Sequence, residues 1–236
     1  MRDALALVWA ILFPSIMAWG YFVAAPAMAG GQGIVAAIYL LAKVIQFGFP
    51  AVYVGLTDRK ELQLAWPNLR GLLAGLVFGV VVGLAAFGLY FGWLKHSPQL
   101  ADTPAKILGK LQQLHCDSVA GFLLVAVFIS VFHSLLEEYY WRWFVFGWLK
   151  RLMPAAAALV VASLGFMAHH VIVLAVLIPD RFLTAALPLS LCIAVGGGVW
   201  CWLYQRTGSL YAPWISHLLI DAAIMGIGFD LVRGSL

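Results

Sequence analysis

The feature that most limits the possible folds of this chain is a series of seven long apolar segments, separated by more polar connections of which 95–118 is the longest. Each is close to the length of about 20 residues that crosses the hydrocarbon layer of a membrane as a helix. Backbone polar groups inside lipid must be paired within the protein, and the alternating pattern of a transmembrane barrel is missing, so helices are predicted. The segments are approximately 4–25, 33–56, 71–94, 119–138, 155–178, 182–204 and 211–229.

Composition agrees with this prediction. Apolar residues make up 64% of the chain and charged residues 10%, whereas a soluble domain carries about 25% charged residues. We therefore predict an all-α, polytopic membrane helix bundle of about seven or eight transmembrane helices, with residues 1–236 forming a single integral membrane domain. Because the cations are confined mainly to loops, membrane lipid is the expected partner and nucleic acid is not.

The charges of the loops predict an orientation. With the N-terminus inside, eight Lys and Arg residues lie inside and five outside, which is the direction that the positive-inside rule favours. The 58–68 loop and the turn at Lys150 and Arg151 are then cytoplasmic. The first segment is longer than the core of a signal peptide, so we expect it to stay as a span. We place the protein in a bacterial inner (cytoplasmic) membrane, with a cytoplasmic N-terminus.

Two features within the spans have structural interpretations. Lys43 lies inside the second segment, where it is expected to reach toward the interface or to pair with a carboxylate. The third segment carries four glycines at four-residue spacing, on one helical face, which predicts a seam where another helix packs closely. These glycines are Gly71, Gly75, Gly79 and Gly83.

The fourth segment ends in a cluster of charged side chains, in the run HSLLEEYYWRW. A charged side chain at the bilayer centre costs about 2.5–3.5 kcal/mol on insertion scales, so the adjacent carboxylates Glu137 and Glu138 need an explanation. Glu138 and Arg142 are four residues apart on one helical face and are predicted to pair. Glu137 points about 100° away from Glu138. We therefore interpret Glu138 and Arg142 as a supporting pair and Glu137 as available for chemistry.

Two later segments also carry ionisable side chains. The fifth contains Phe166 and His170, four residues apart, whereas the adjacent His169 is expected to face elsewhere. The seventh contains His217 and Asp221, again four residues apart on one face. Separate burial of all these groups would be costly, so we expect them to meet at one site.

Distances along the chain are compatible with one site. If the chain turns back near Pro154, Glu137 and His170 are each about 16 residues from the turn and lie level across an antiparallel helix pair. The expected depth of His217 in the membrane matches that of Glu137 and His170 only roughly, so helix tilt must account for the difference. The helical run 119–151 is too long for one upright span, and we expect 141–151 to form a separate, partly buried helix.

Three motifs together resemble those of a known family. They are Glu137-Glu138-x-x-x-Arg142, Phe166-x-x-x-His170 and His217-x-x-x-Asp221. In order and spacing they are similar to the CAAX prenyl protease and bacteriocin-processing family, which also includes abortive-infection proteins. The resemblance covers about residues 137–221, roughly a third of the chain, and implies a family-like catalytic core at 119–231.

The resemblance implies an intramembrane endopeptidase of the glutamic type, with no cofactor. Glu137 and His170 would activate a water, and His217 and Asp221 would support the oxyanion. Many members have Asn at the position of Asp221. An ionised Asp cannot donate a hydrogen bond, so Asp221 is either protonated or orients His217. The implied partner is a membrane-associated protein or peptide cut near its C-terminus or leader, and prenylated proteins, leader peptides and sorting tails all fit.

Two other interpretations remain open. Glu137, His170, His217 and Asp221 could instead be the ligands of a zinc ion in a membrane metalloprotease, although the compact HExxH arrangement is missing. A non-catalytic carrier or immunity protein could use the same buried groups as a proton relay or binding site. Internal symmetry, which would favour a carrier, is not evident in the sequence.

Overall fold

The computed structural model describes residues 1–25, 32–57 and 65–236. Within these ranges the chain forms helices and no strands, and seven of the helices are long and apolar enough to span a membrane. The predicted fold class is confirmed for this part of the chain. Residues 58–64 of the predicted cytoplasmic loop, including Arg59 and Lys60, lie outside the described residues.

The longer helices are numbered in chain order. They are α1 (Arg2–Ala24), α2 (Gln32–Thr57), α3 (Leu69–Gly92), α4 (Thr103–Gln113), α5 (Val119–Leu149), α6 (Ala155–Leu177), α7 (Phe182–Thr207) and α8 (Tyr211–Val232).

Helix α5 is continuous, and its second half lies in the hydrophobic core. The predicted separate helix at 141–151 is wrong, because the backbone stays helical through wider, π-type turns at Phe128–His133 and Tyr139–Phe146. Side chains in its second half, such as Trp141 and Phe144, are almost completely buried among other helices. Since protein rather than lipid surrounds this half of the helix, the thickness of the bilayer does not limit its length.

Helices α3 and α8 pack closely along the predicted glycine seam. A Cβ atom added to Gly79 would lie 2.9 Å from the Cα atom of Ser216, and one added to Gly75 would collide with the carbonyl oxygen of Ala212. The seam is buried at all four predicted positions. The glycines therefore allow α8 to approach α3 more closely than any side chain would permit, as predicted.

The remaining helices enclose the polar segments. Helix α6 packs along α7 and against α1, while α8 contacts α7 and the middle of α5. The core formed by α5 is filled by Leu7 from α1, Val54 from α2, Phe166 from α6 and Trp200 from α7. This arrangement directs the polar side chains of α5, α6 and α8 into one interior region.

Candidate active site

Glu138 is completely buried and has partners from two helices. Its Oε1 atom accepts a hydrogen bond from Nδ1 of His217 at 2.7 Å, and Nη1 of Arg142 lies 3.2 Å from the same oxygen. The Arg142 guanidinium lies over the rings of Phe166 and Trp200, 4.5 and 4.9 Å from their centroids. The predicted contact between Glu138 and Arg142 is present, and it is shared with His217.

Glu137 is also buried, but its surroundings are imidazoles rather than a guanidinium. Oε1 lies 3.4 Å from Nε2 of His169, and Oε2 lies 3.7 Å from Nε2 of His217 and 3.8 Å from Nδ1 of His133. A ring nitrogen of His170 is within 4.8 Å of the Glu137 carboxylate and of His169. The structure thus brings Glu137 and His170 together, as antiparallel packing predicts. The two adjacent glutamates have different environments because they face different sides of α5.

The hydrogen bond of His170 fixes its tautomer. Its Nδ1 atom is 2.9 Å from the carbonyl oxygen of Phe166, one turn earlier on α6. A carbonyl oxygen can only accept, so Nδ1 carries the proton and, in the neutral ring, Nε2 has the lone pair. His170 is partly exposed, and this nitrogen is therefore free to accept a proton or to bind a ligand.

His169 lies at the site, which differs from the sequence prediction. Helical spacing predicts that it faces away from His170, yet its ring lies against Glu137 and stacks on Trp141, with 5.8 Å between centroids and 7° between planes. The two histidine rings are 4.1 Å apart. A carboxylate on another helix can lie between two adjacent side chains and be reached by both, which spacing within one helix does not reveal. The two adjacent histidines in the sequence are the signal that could have indicated that His169 also belongs to the site.

His217 lies between three carboxylates. Its Nδ1 bonds to Glu138, while its Nε2 lies 3.7 Å from Glu137 and 3.6 Å from Oδ2 of Asp221. Trp200 stacks on the imidazole at 4.1 Å and donates its own Nε1–H to Ser216 at 2.6 Å. The stacked indole and the Glu138 hydrogen bond hold the orientation of His217. Asp221 is near Nε2 but beyond hydrogen-bonding distance.

The four residues named as alternative zinc ligands do not form one set of mutually close ligand atoms, although His217 lies near both Glu137 and Asp221. Among the described residues, the group whose ligand atoms lie mutually within 4.8 Å is Glu137, His169 and His170. His217 and Asp221 are outside this group. One carboxylate oxygen with two imidazole nitrogens is a donor set that catalytic zinc accepts. A metal is thus chemically compatible with the site, but with His169 in place of the two predicted ligands on α8.

The fold and the site define a polytopic helical membrane protein with a buried cluster of carboxylates and imidazoles. Residues 119–223 match the family model described as type II CAAX prenyl endopeptidase Rce1-like. This match includes all three motifs and confirms the family resemblance. Comparisons with curated proteins and with solved structures gave no match. The family match supports an integral membrane protease of the CAAX type, with a protein or peptide as its substrate.

Proposed function

We propose that the protein is an intramembrane endopeptidase of the glutamic type, in which Glu137 and His170 activate the attacking water. The observation that carries this proposal is the difference between the two adjacent glutamates. Glu138 is neutralised by Arg142 and His217, whereas Glu137 faces imidazole nitrogens. Activation of water requires a base that no bound cation neutralises, next to a group that can transfer protons. Glu137 and the neighbouring imidazoles have these properties.

The proposed reaction uses both sides of this cluster. A water lies between Glu137 and Nε2 of His170. Its oxygen attacks the scissile carbonyl carbon while the Glu137 carboxylate, acting with His170, takes one of its protons. When Nε2 of His217 also carries a proton, it can donate to the developing oxyanion. Asp221, 3.6 Å from the same nitrogen, is proposed to support this cationic ring electrostatically. The proton taken from water is then passed to the leaving amine, whose bond to carbon breaks. The two products leave as a carboxylate and an amine.

The alternative mechanism with zinc is favoured by one observation. Glu137, His169 and His170 lie close enough to bind one ion, and a hydrogen bond such as that of His170 to the Phe166 carbonyl often orients a zinc ligand. A bound zinc would supply Lewis-acid activation of the water. Purified protein should then contain about one zinc per chain, and His169→Ala should lose it. In the metal-free mechanism that we propose, zinc content is negligible and chelators leave the activity unchanged.

The substrate is proposed to be a membrane-associated protein or peptide cut near its C-terminus or leader. Candidates can be identified by comparing membrane peptides from cells that carry the wild-type protein or Glu137→Gln. This substitution keeps the side-chain shape but removes the basic carboxylate, so the products should disappear while the protein remains folded. Asp180→Asn is a matched control, because Asp180 lies in a loop at φ 62°, a conformation that Asn tolerates. Equal product levels with Glu137→Gln would favour a relay or binding protein instead.

A further inference from the structure

Lys43 is a cation within helix α2 that makes no direct ion pair with a carboxylate among the described residues. Its Nζ atom donates to Oε1 of Gln46 at 3.2 Å and lies 5.5 Å from the ring centroids of Tyr39 and Phe47. The expectation that Lys43 pairs with a carboxylate is not met among the described residues. An amide oxygen and two aromatic faces solvate the ammonium group only partly.

Lys43 lies beside the candidate active site without being part of it. The Phe47 ring, next to the ammonium group, meets the His133 ring edge to face at 6.2 Å. His133 in turn lies 3.8 Å from the Glu137 carboxylate, and Lys43 and Glu137 interact electrostatically. Both Lys43 and His133 are partly exposed, whereas Glu137 is buried. Lys43 is therefore a cation close to the carboxylate at which cleavage is proposed.

We propose that Lys43 and Gln46 form a subsite that binds the C-terminal carboxylate of the peptide substrate. A cation inside a membrane that makes no direct ion pair is costly, and such residues often mark places where a substrate or an ion binds. Gln46 is buried, and because its Oε1 accepts from Lys43, its amide nitrogen is a second donor group next to the ammonium group. Two neighbouring donors, one of them charged, complement the two oxygens of a carboxylate. This inference rests on the proposed protease function.

The depth of Lys43 favours a peptide over a lipid phosphate. Lys43 is eleven residues from the first residue of α2 and fourteen from the last, which corresponds to roughly 16 and 21 Å of helix rise. Lipid headgroups lie at the two surfaces of the hydrocarbon layer. A peptide held at Glu137 instead brings its own terminus to the depth of the site.

The test compares one fluorescent prenylated CAAX peptide as the free acid and as the C-terminal amide. Binding is measured with purified Glu137→Gln protein and cleavage with the protein that retains Glu137, each with and without Lys43→Met. We expect the acid to be favoured over the amide by about 10- to 100-fold, the effect of one charge-assisted hydrogen bond. Lys43→Met should reduce binding and cleavage of the acid to the values of the amide, and it should leave those of the amide unchanged. Lys43→Arg should retain the preference for the acid.

Controls separate this role from a structural one. Lys110→Met removes a partly exposed lysine that lies over Tyr21 and Phe22, and it should leave the ratio of acid to amide unaltered. If the protein that retains Lys43 binds and cleaves the acid and the amide equally well, the inference is wrong. It is also wrong if Lys43→Met weakens binding and cleavage of both peptides equally. If Lys43→Met instead reduces retention of an anionic phospholipid in native mass spectrometry, the anion is a lipid phosphate and the inference is wrong. The protease function is tested separately, by whether cleavage requires Glu137.

Discussion

At the scale of single residues, two adjacent glutamates have become chemically different. Glu138 is bound by Arg142 and by His217, so its charge is used to hold two other side chains in place. Glu137 is surrounded by imidazoles, which can exchange protons with it or with a substrate. The neighbouring carboxylates are therefore suited to a positioning role and to a catalytic role.

We predict that Glu138 and Arg142 affect stability mainly through each other. Both side chains are at most 1% exposed, and removal of one partner leaves the other charge buried without compensation, at a cost of about 3–5 kcal/mol. Glu138→Gln and Arg142→Gln should each lower the thermal unfolding midpoint in detergent. The double variant should lose less than the two single losses added together. Additive losses in a double-mutant cycle would contradict the pairing.

At the scale of elements, the close approach of α3 and α8 positions the side chains of α8. His217 follows directly after Ser216, whose Cα atom faces Gly79. Displacement of α8 would move the imidazole away from both glutamates. The glycine seam is therefore a structural requirement of the site, although it contributes no chemical group.

We predict that one methyl group in this seam damages the protein, whereas the same change on the outer face of α3 does not. Gly75→Ala places a Cβ atom against the backbone carbonyl of Ala212, and Gly88→Ala meets nothing within 4 Å. Overpacking of this kind costs about 1–3 kcal/mol, so Gly75→Ala should lower the unfolding midpoint and the activity together. Gly88→Ala should match or exceed wild-type stability, because alanine favours helix. Equal midpoints for the two variants would show that the seam is not tightly packed.

At the scale of the whole molecule, the seven candidate spans of the described residues predict that residues 1 and 236 lie on opposite sides of the membrane. The excess of Lys and Arg predicts that the turn after α5 is cytoplasmic and that α4 is outside. Single cysteines test this orientation after removal of Cys116, Cys192 and Cys201, which are free thiols. A membrane-impermeant maleimide should label Lys106→Cys on intact cells and Leu152→Cys only after permeabilisation. Labelling in the reverse order would invert the topology.

The sequence was sufficient for the features that depend on local spacing. Hydrophobic length predicted the spans, four-residue spacing predicted the glycine seam and the contact of Glu138 with Arg142, and the cost of buried charge predicted that the polar segments meet. It was insufficient where contacts depend on how helices cross. The π-type turns of α5 and the proximity of Glu137 to both His169 and His170 depend on tertiary packing, and so does the proximity of Lys43 to His133.

The most direct test of the account is a kinetic double-mutant cycle on Glu137 and His170 with one confirmed substrate. If both residues act on the same water, Glu137→Gln and His170→Ala should each reduce cleavage severely, and the double variant should be no slower than the slower single variant. All three variants must bind the substrate and show the wild-type unfolding midpoint within error. Losses that multiply in the double variant, or a wild-type cleavage rate in Glu137→Gln, would contradict the claim that these two residues activate one water.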